Sequence, residues 1–156
     1  MMKRILLTGM SGTGKSTALA ALRRQGYETV DTDEPGWSTW SDADDGYVWN
    51  EDRVNELLDR DHSSTLYVSG TVSNQSRFYP SFDAVVLLSA PADVLLERIE
   101  QRTTNDFGKP PQERELILEH LAMVEPLLRA TCTHEIDASR PVEEVVSQLL
   151  AIGAGA

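Results

Sequence analysis

Short apolar runs alternate along this chain with stretches in which apolar residues recur every three or four positions. Arg4–Thr8 predicts a buried strand and Ser16–Gln25 a helix closed by Gly26. Tyr27–Asp31 predicts a second strand, Glu51–Arg60 a polar helix and Thr65–Ser69 a third strand. Between them, Asp33 to about Asn50 is rich in Asp, Gly, Pro and Trp and predicts a loop. A turn at Gly70 and a short segment ending near Tyr79 precede Ala84–Leu88, whose nearly continuous apolar run fits a strand buried on both faces. Pro91 opens a helix reaching about Arg102, with Asp93 in its first turn where the helix dipole favours an acid. Thr103–Pro111 predicts a loop, and the helix after it reaches about Arg129, with Ile117, Leu121, Val124 and Leu128 on one stripe. Pro126 should kink or tighten its end. Thr133–Asp137 is the fifth strand, and Pro141–Leu150 the last helix, with Val142, Val145, Val146 and Leu149 inward. Strands separated by helices predict an α/β fold with a parallel sheet covered on both faces and ligands at the carboxyl ends of the strands.

The 156 residues suit one domain with a single core. No run reaches the ~18 apolar residues a membrane-spanning helix needs. The opening apolar stretch stops after three residues and enters a Gly-rich loop, which reads as a strand rather than a signal peptide. A net charge of −11 speaks against nucleic acid or an anionic membrane as partner, since both need a positive footprint. A small cationic pocket within an acidic protein is compatible with that charge. The single cysteine, Cys132, reads as a structural thiol and suits a reducing, cytoplasmic setting. His62, His120 and His134 show no metal-ligand spacing and read as surface or interface residues.

One motif carries specific chemistry. Gly9 through Ser16 has the spacing G-x-x-x-x-G-K-S directly after a strand and before a helix, the context that a phosphate-binding loop requires. Gly9, Gly12 and Gly14 allow tight turns that aim backbone N–H groups at phosphate oxygens, and the helix N-terminus adds positive potential. Lys15 is expected on the β- and γ-phosphates of a nucleotide and the Ser16 hydroxyl on Mg²⁺. Such a loop serves kinases, ATPases and GTPases alike.

Further residues suggest which. Asp31 and Asp33 lie two apart at a strand end, so their side chains share one side near the loop. Two carboxylates there can hold a hydrated Mg²⁺ and accept a proton from an attacking hydroxyl. Arg98 and Arg102, four apart on one helix, share a face, and either could stabilise a transferring phosphoryl group.

The run Gly9-Met10-Ser11-Gly12-Thr13-Gly14-Lys15-Ser16-Thr17 in so short a chain resembles the P-loop small-molecule kinases, the group of shikimate kinase, gluconate kinase and the adenylate-kinase-like enzymes. Asp31-Thr32-Asp33 closes the second strand as in shikimate kinase, and Glu97–Arg102 precedes a Gly/Pro loop as the lid does in that group. Glu125-Pro126-Leu127-Leu128 resembles its Pro-Leu-Tyr segment, and Ser139-Arg140-Pro141 stands where such kinases place the adenine-contacting loop. The resemblance implies a three-layer α/β/α fold with five strands ordered 2-3-1-4-5 and a lid over 103–111. It implies an acceptor-binding insert over 34–63 and transfer of the ATP γ-phosphoryl group to a small molecule. By the same resemblance Asp31 takes the metal side, Asp33 the acceptor hydroxyl, Lys109 a mobile lid contact, and Arg140 and Pro141 the adenine. A monomer or weak dimer suffices.

Departures from shikimate kinase bear on the acceptor. Val124 and Glu125 stand where that enzyme carries an arginine before its Pro-Leu-Tyr segment, and Ser69-Gly70-Thr71 replaces a Gly-Gly pair. Between Glu34 and Ser63 nine acids face only Arg53 and Arg60, a poor field for an anion. Trp37, Trp40, Tyr47 and Trp49 fall within thirteen residues and suit a planar base, a sugar ring or an amine, or else pack the insert onto the domain. Thr71, Ser73, Asn74 and Gln75 follow the third strand at its ligand-facing end, either to hydrogen-bond a polyhydroxylated acceptor or to cap a short helix. A neutral or cationic alcohol is therefore expected. The alternatives are a nucleoside monophosphate gripped by Arg53, Arg60 and Arg77, or a regulatory ATPase without an acceptor. All three share one requirement: Lys15→Ala should abolish ATP turnover in a protein that still folds, and steady-state ADP release from the mutant would check it.

Overall fold

The computed structural model describes residues 3–10, 12–62, 64–101 and 109–155. Its elements run β1 (Arg4–Thr8), α1 (Lys15–Arg24), β2 (Glu28–Asp31), β3 (Ser38–Ser41), β4 (Gly46–Trp49), α2 (Glu51–Asp59) and β5 (Leu66–Ser69). A 3₁₀ helix (Gln75–Ser81), β6 (Ala84–Ser89), α3 (Ala92–Gln101), α4 (Pro111–Thr131), β7 (His134–Asp137) and α5 (Val142–Gly153) follow. The main sheet is parallel, five-stranded and ordered β2-β5-β1-β6-β7. Leaving out the hairpin strands β3 and β4, that is the order 2-3-1-4-5.

Period-two alternation on a strand buried on both faces explains the layering. Ile5 and Leu7 of β1 join a cluster with Leu19 and Leu22 of α1 and Val145, Val146 and Leu149 of α5. Leu6 points the other way, into a cluster with Val54, Leu57 and Leu58 of α2 and with Trp49 and Phe78. Met10, Leu87, Leu95 and Leu128 form a third cluster beneath α3 and α4. The result is a three-layer α/β/α fold.

Three expectations need correction. Residues 33–50 are not wholly loop: β3 and β4 pair antiparallel, with Trp40 opposite Tyr47 and Ser38 opposite Trp49. The four-residue turn between them, 42–45, closes with Asp45 at φ 50, a left-handed conformation that aspartate tolerates. α4 passes through Pro126 and continues to Thr131 rather than stopping near Arg129. His62 is no surface residue either. Its side chain is fully buried, one ring nitrogen against Glu28 and the other 2.8 Å from the Leu57 carbonyl, pinning the end of α2 to β2. The expected lid, 103–111, lies outside the described residues except for its last three positions.

The hairpin is attached to the domain through Trp49. It is 1% exposed, packs its ring 5.4 Å from Phe78 and donates from Nε1 to Thr32 Oγ1 at 2.9 Å. Asn74 clamps the same residue, its Oδ1 accepting from Trp49 N at 2.8 Å and its Nδ2 donating to Trp49 O at 3.2 Å. Trp49→Ala should cost roughly 3–5 kcal/mol of stability, as large-to-small core changes do, read from the urea midpoint.

Candidate active site

β1 ends at Thr8, and the chain turns into the loop that reaches α1 at Lys15. Gly9 (φ 151) turns so tightly under β6 that a Cβ would run into the Leu88 carbonyl, and at Gly12 (φ 88) one would sit 2.9 Å from Leu95 O. Glycine is required there by both conformation and space. Thr13 is buried, its hydroxyl donating to Met10 O at 2.9 Å, which locks the turn from inside. Ser16 and Thr17 are exposed in the first turn of α1.

Parallel pairing brings the ends of β2 and β5 alongside: Asp31 is in register with Ser69. Ser16 Oγ donates to Asp31 Oδ2 at 3.0 Å, and Asp31 Oδ1 accepts from the backbone N–H of Asp33 at 3.0 Å. Lys15 Nζ donates to Gly9 O at 2.6 Å and Met10 O at 3.3 Å. Desolvation lowers the Lys15 pKa to about 8, although the charges of Asp33 and Asp31 pull it back up. The Asp33 carboxyl is raised above the ordinary range, by desolvation first and by Asp31 second, with Lys15 opposing. A carboxylate and a hydroxyl in contact, Asp31 and Ser16, form an all-oxygen donor pair of the kind a hard divalent cation takes alongside phosphate and water.

Arg98 reaches the same place from α3. It is half-buried and its Nη1 lies 3.4 Å from Gly12 O, so the guanidinium is turned to the phosphate loop rather than spent on Glu97 or Glu100. Its partner in sequence, Arg102, lies outside the described residues. Lys109 is half-buried just before α4. Arg140 is exposed and pairs at 3.8 Å with both Asp137 and Glu144, next to the exposed Pro141. The Asp137 carboxylate is held below its usual range by the Ser139 hydroxyl and amide, with Arg140 and Arg98 adding to the effect.

The expected acceptor residues divide. Trp37 is half-buried with the Arg53 guanidinium 4.0 Å above its ring. Trp40 is 55% exposed, edge-on to Tyr47, and its Nε1 donates to Asp42. Trp49 and Asn74 are buried and committed to each other, so neither offers a group to an acceptor. Arg77 pairs with Glu51 at 3.1 Å on the surface. Arg60 reaches toward Glu28, at the amino-terminal end of β2 and away from the phosphate loop. Arg60 therefore lies apart from the phosphate loop, and Arg77 is engaged by an acid. Thr71 Oγ1 contacts Thr8 and both the N–H and the carbonyl of Gly9.

Comparisons with known proteins bear on this geometry. The AAA-domain family of P-loop proteins matches residues 5–119. Shikimate kinase 2 of Yersinia enterocolitica is 30% identical over 97% of this chain and 96% of its own length. The chain belongs to the P-loop small-molecule kinases. Among solved structures, the gluconokinase of Sinorhizobium meliloti 1021 superposes with a TM-score of 0.67 at 25% identity, covering 96% of this chain and 90% of that one. The shikimate kinase of Acinetobacter baumannii in complex with shikimate has the same fold, with a TM-score of 0.67 at 20% identity over 97% and 93% of the two chains. This kinase uses ATP and transfers its phosphoryl group to a hydroxyl of a small molecule.

Sequence reasoning gave no role of their own to Thr8 and Thr32, and expected Gln75 at an acceptor or in a helix cap. Thr32, in the turn between the two acids, is buried and accepts from the Trp49 indole, while donating to Ser69 O at 2.8 Å. Thr8 and Gln75 are buried polar groups bonded to each other at 3.1 Å beneath the phosphate loop. A threonine closing an apolar strand was the available signal for Thr8; Gln75, against that expectation, bonds Thr8 beneath the loop.

The Lys15 amine carries its charge below about pH 8 and loses it above. The kinase's affinity for ATP should accordingly fall as pH rises through that value, and Lys15→Arg should flatten the alkaline limb because a guanidinium stays charged. Equilibrium titration of ATP across about pH 6–10 measures it.

Proposed function

We propose that the kinase phosphorylates a neutral or amine-bearing polyhydroxylated alcohol, with the loop of residues 9–17 holding the ATP phosphates and residues 34–63 forming the acceptor side. The observation that carries this reading is the Ser16–Asp31–Asp33 chain of hydrogen bonds beside Lys15, with Arg60 lying apart from it and Arg77 engaged by an acid. Ser16 and Asp31 would hold Mg²⁺, which supplies charge neutralisation on the phosphates. Lys15 and Arg98 offer cationic contacts to the γ-phosphoryl group, and loop and α1 N–H groups hold its neighbours.

Asp33 takes the proton of the acceptor hydroxyl as that oxygen bonds to the γ-phosphorus. The bond to the β–γ bridging oxygen breaks, and ADP leaves with that oxygen. A carboxyl raised in pKa is a better proton acceptor than an ordinary aspartate, provided that it is ionised at the working pH. On this reading Arg140 and Pro141 are assigned to the adenine side, Arg102 to the phosphates and Lys109 to a lid over 103–111. One chain carries every group named, so a monomer or weak dimer in the cytoplasm, where ATP is supplied, suffices.

Arg53 favours a second reading, an acceptor bearing one carboxylate. Its guanidinium is ordered over Trp37 and abuts Gly36, three residues from Asp33. The two readings part on an acceptor panel. Turnover with neutral or amine-bearing polyols, unaffected by Arg53→Ala, supports the first; turnover confined to sugar acids or shikimate and lost on Arg53→Ala supports the second. In either case Asp33→Asn should leave ATP affinity intact and lower acceptor-dependent turnover by about 10²–10⁴-fold. Loss of ATP binding with the saturated rate preserved would place Asp33 on the metal side.

A further inference from the structure

β2 ends at Asp31, so the sheet itself does not hold Asp33. Thr32 stands between the two acids, and the fold engages each of its polar groups. Its N–H and its hydroxyl both donate to Ser69 O, at 3.0 and 2.8 Å, which carries the β2–β5 pairing one residue past the strand. On its other side, Oγ1 accepts from Trp49 Nε1 at 2.9 Å and the carbonyl accepts from Ser38 Oγ at 3.1 Å. Ser38 and Trp49 are register partners at the open end of the hairpin, so one cross-strand pair grips Thr32 twice. The fit is close. Thr32 and Trp49 are each 1% exposed, and a Cβ on Gly70 would run into Thr32 Oγ1 and lie 3.1 Å from the indole ring.

A peptide group is planar, so the Thr32 carbonyl and the Asp33 N–H can only move together. Ser38 holds the carbonyl, and Asp31 Oδ1 accepts from the Asp33 N–H at 3.0 Å. The plane is thus held at both edges, and it fixes the point from which the Asp33 side chain leaves the backbone.

We infer that Thr32 is a positioning residue for Asp33, through which the Ser38–Trp49 end of the hairpin sets where the carboxylate meets an acceptor hydroxyl. The inference rests on the reading of Asp33 as the proton acceptor. Hairpin and carboxylate then move as one unit, and a carboxylate held in this way needs no ordering when the acceptor arrives. Thr32→Ser keeps all four bonds. Thr32→Val, nearly equal in shape, loses the two made by the hydroxyl and leaves Trp49 Nε1 without an acceptor.

The test compares kcat, acceptor KM and ATP affinity in the full chain. ADP release is measured from ATP and Mg²⁺, once with the best acceptor of the panel and once with water alone taking the phosphoryl group. Folded Thr32→Val should lose about tenfold in kcat under both conditions, at unchanged ATP affinity and acceptor KM, while Thr32→Ser keeps the wild-type rate. Ser38→Ala frees only the Thr32 carbonyl and leaves the buried indole its partner. It should lose about threefold in the same way, and it carries the test if Thr32→Val does not fold. A merely structural role would lower the urea midpoint and leave kcat per folded molecule alone. In an Asp33→Asn background there is no carboxylate to position, so either change should add little.

Wild-type kcat in folded Thr32→Val or Ser38→Ala would overturn the inference, as would an undiminished loss in the Asp33→Asn background. So would a loss of ATP affinity at unchanged kcat. A full rate in Thr32→Val beside the expected loss in Asp33→Asn sinks the inference alone; a full rate in Asp33→Asn removes the reading of Asp33 and the inference with it. A wild type that turns over ATP under neither condition would overturn both.

Discussion

The rest of the site depends on how β1 gives up its chain. A central strand with neighbours on both sides and apolar layers above and below has no slack, so its last residue is fixed to within the packing of the core. Leaving that strand, the backbone must turn beneath the Leu88 carbonyl, and only glycine at position 9 fits. From there the loop is held on three sides: Thr13 from inside, Thr71 from the segment after β5 and Arg98 from α3. Backbone N–H groups preorganised in this way bind phosphate without having to be ordered at the moment of binding.

The segment after β5 extends that constraint to the acceptor side. Thr71 and Gln75 face the phosphate loop, while Ser73 N donates to Tyr47 O at 3.0 Å and Asn74 grips Trp49, so one short stretch fixes both the loop and the hairpin. Trp49 completes the connection through Thr32, the residue between the two site aspartates. Polar groups buried in this manner are stable only when each has a partner, and here each named one does.

The parts legible in the sequence were those with a strict period or spacing. Apolar runs located the five strands of the main sheet, and the glycine-lysine spacing located the phosphate loop. The two acids lie near the loop as expected, but only Asp31 is on β2: Asp33 follows in a turn, held there by its N–H to Asp31 rather than by strand alternation. The hairpin was not seen, since Ser-Thr-Trp-Ser and Gly-Tyr-Val-Trp carry no apolar alternation; Asp45-Gly46 was the one local signal and lay within a run of acids. Trp49 and Asn74 resembled binding residues because composition does not tell a ring that packs from a ring that stacks on a ligand. Arg98 could be assigned to the phosphate loop only once the packing of α3 beneath it was known.

Acid and cation are balanced closely at the centre of this site. Lys15 lies under the influence of both Asp31 and Asp33, and the Asp33 carboxyl is pushed up by Asp31 and drawn down by Lys15. That balance suits a reaction that needs a cation on the phosphate and a proton acceptor on the alcohol at the same pH. The direct test is ³¹P NMR of the protein with ATP, Mg²⁺ and a panel of polyhydroxylated acceptors. A phosphomonoester resonance growing in step with ADP is expected with at least one acceptor. Inorganic phosphate as the sole new resonance beside ADP, at a rate indifferent to every acceptor, would contradict phosphoryl transfer to an alcohol at this site.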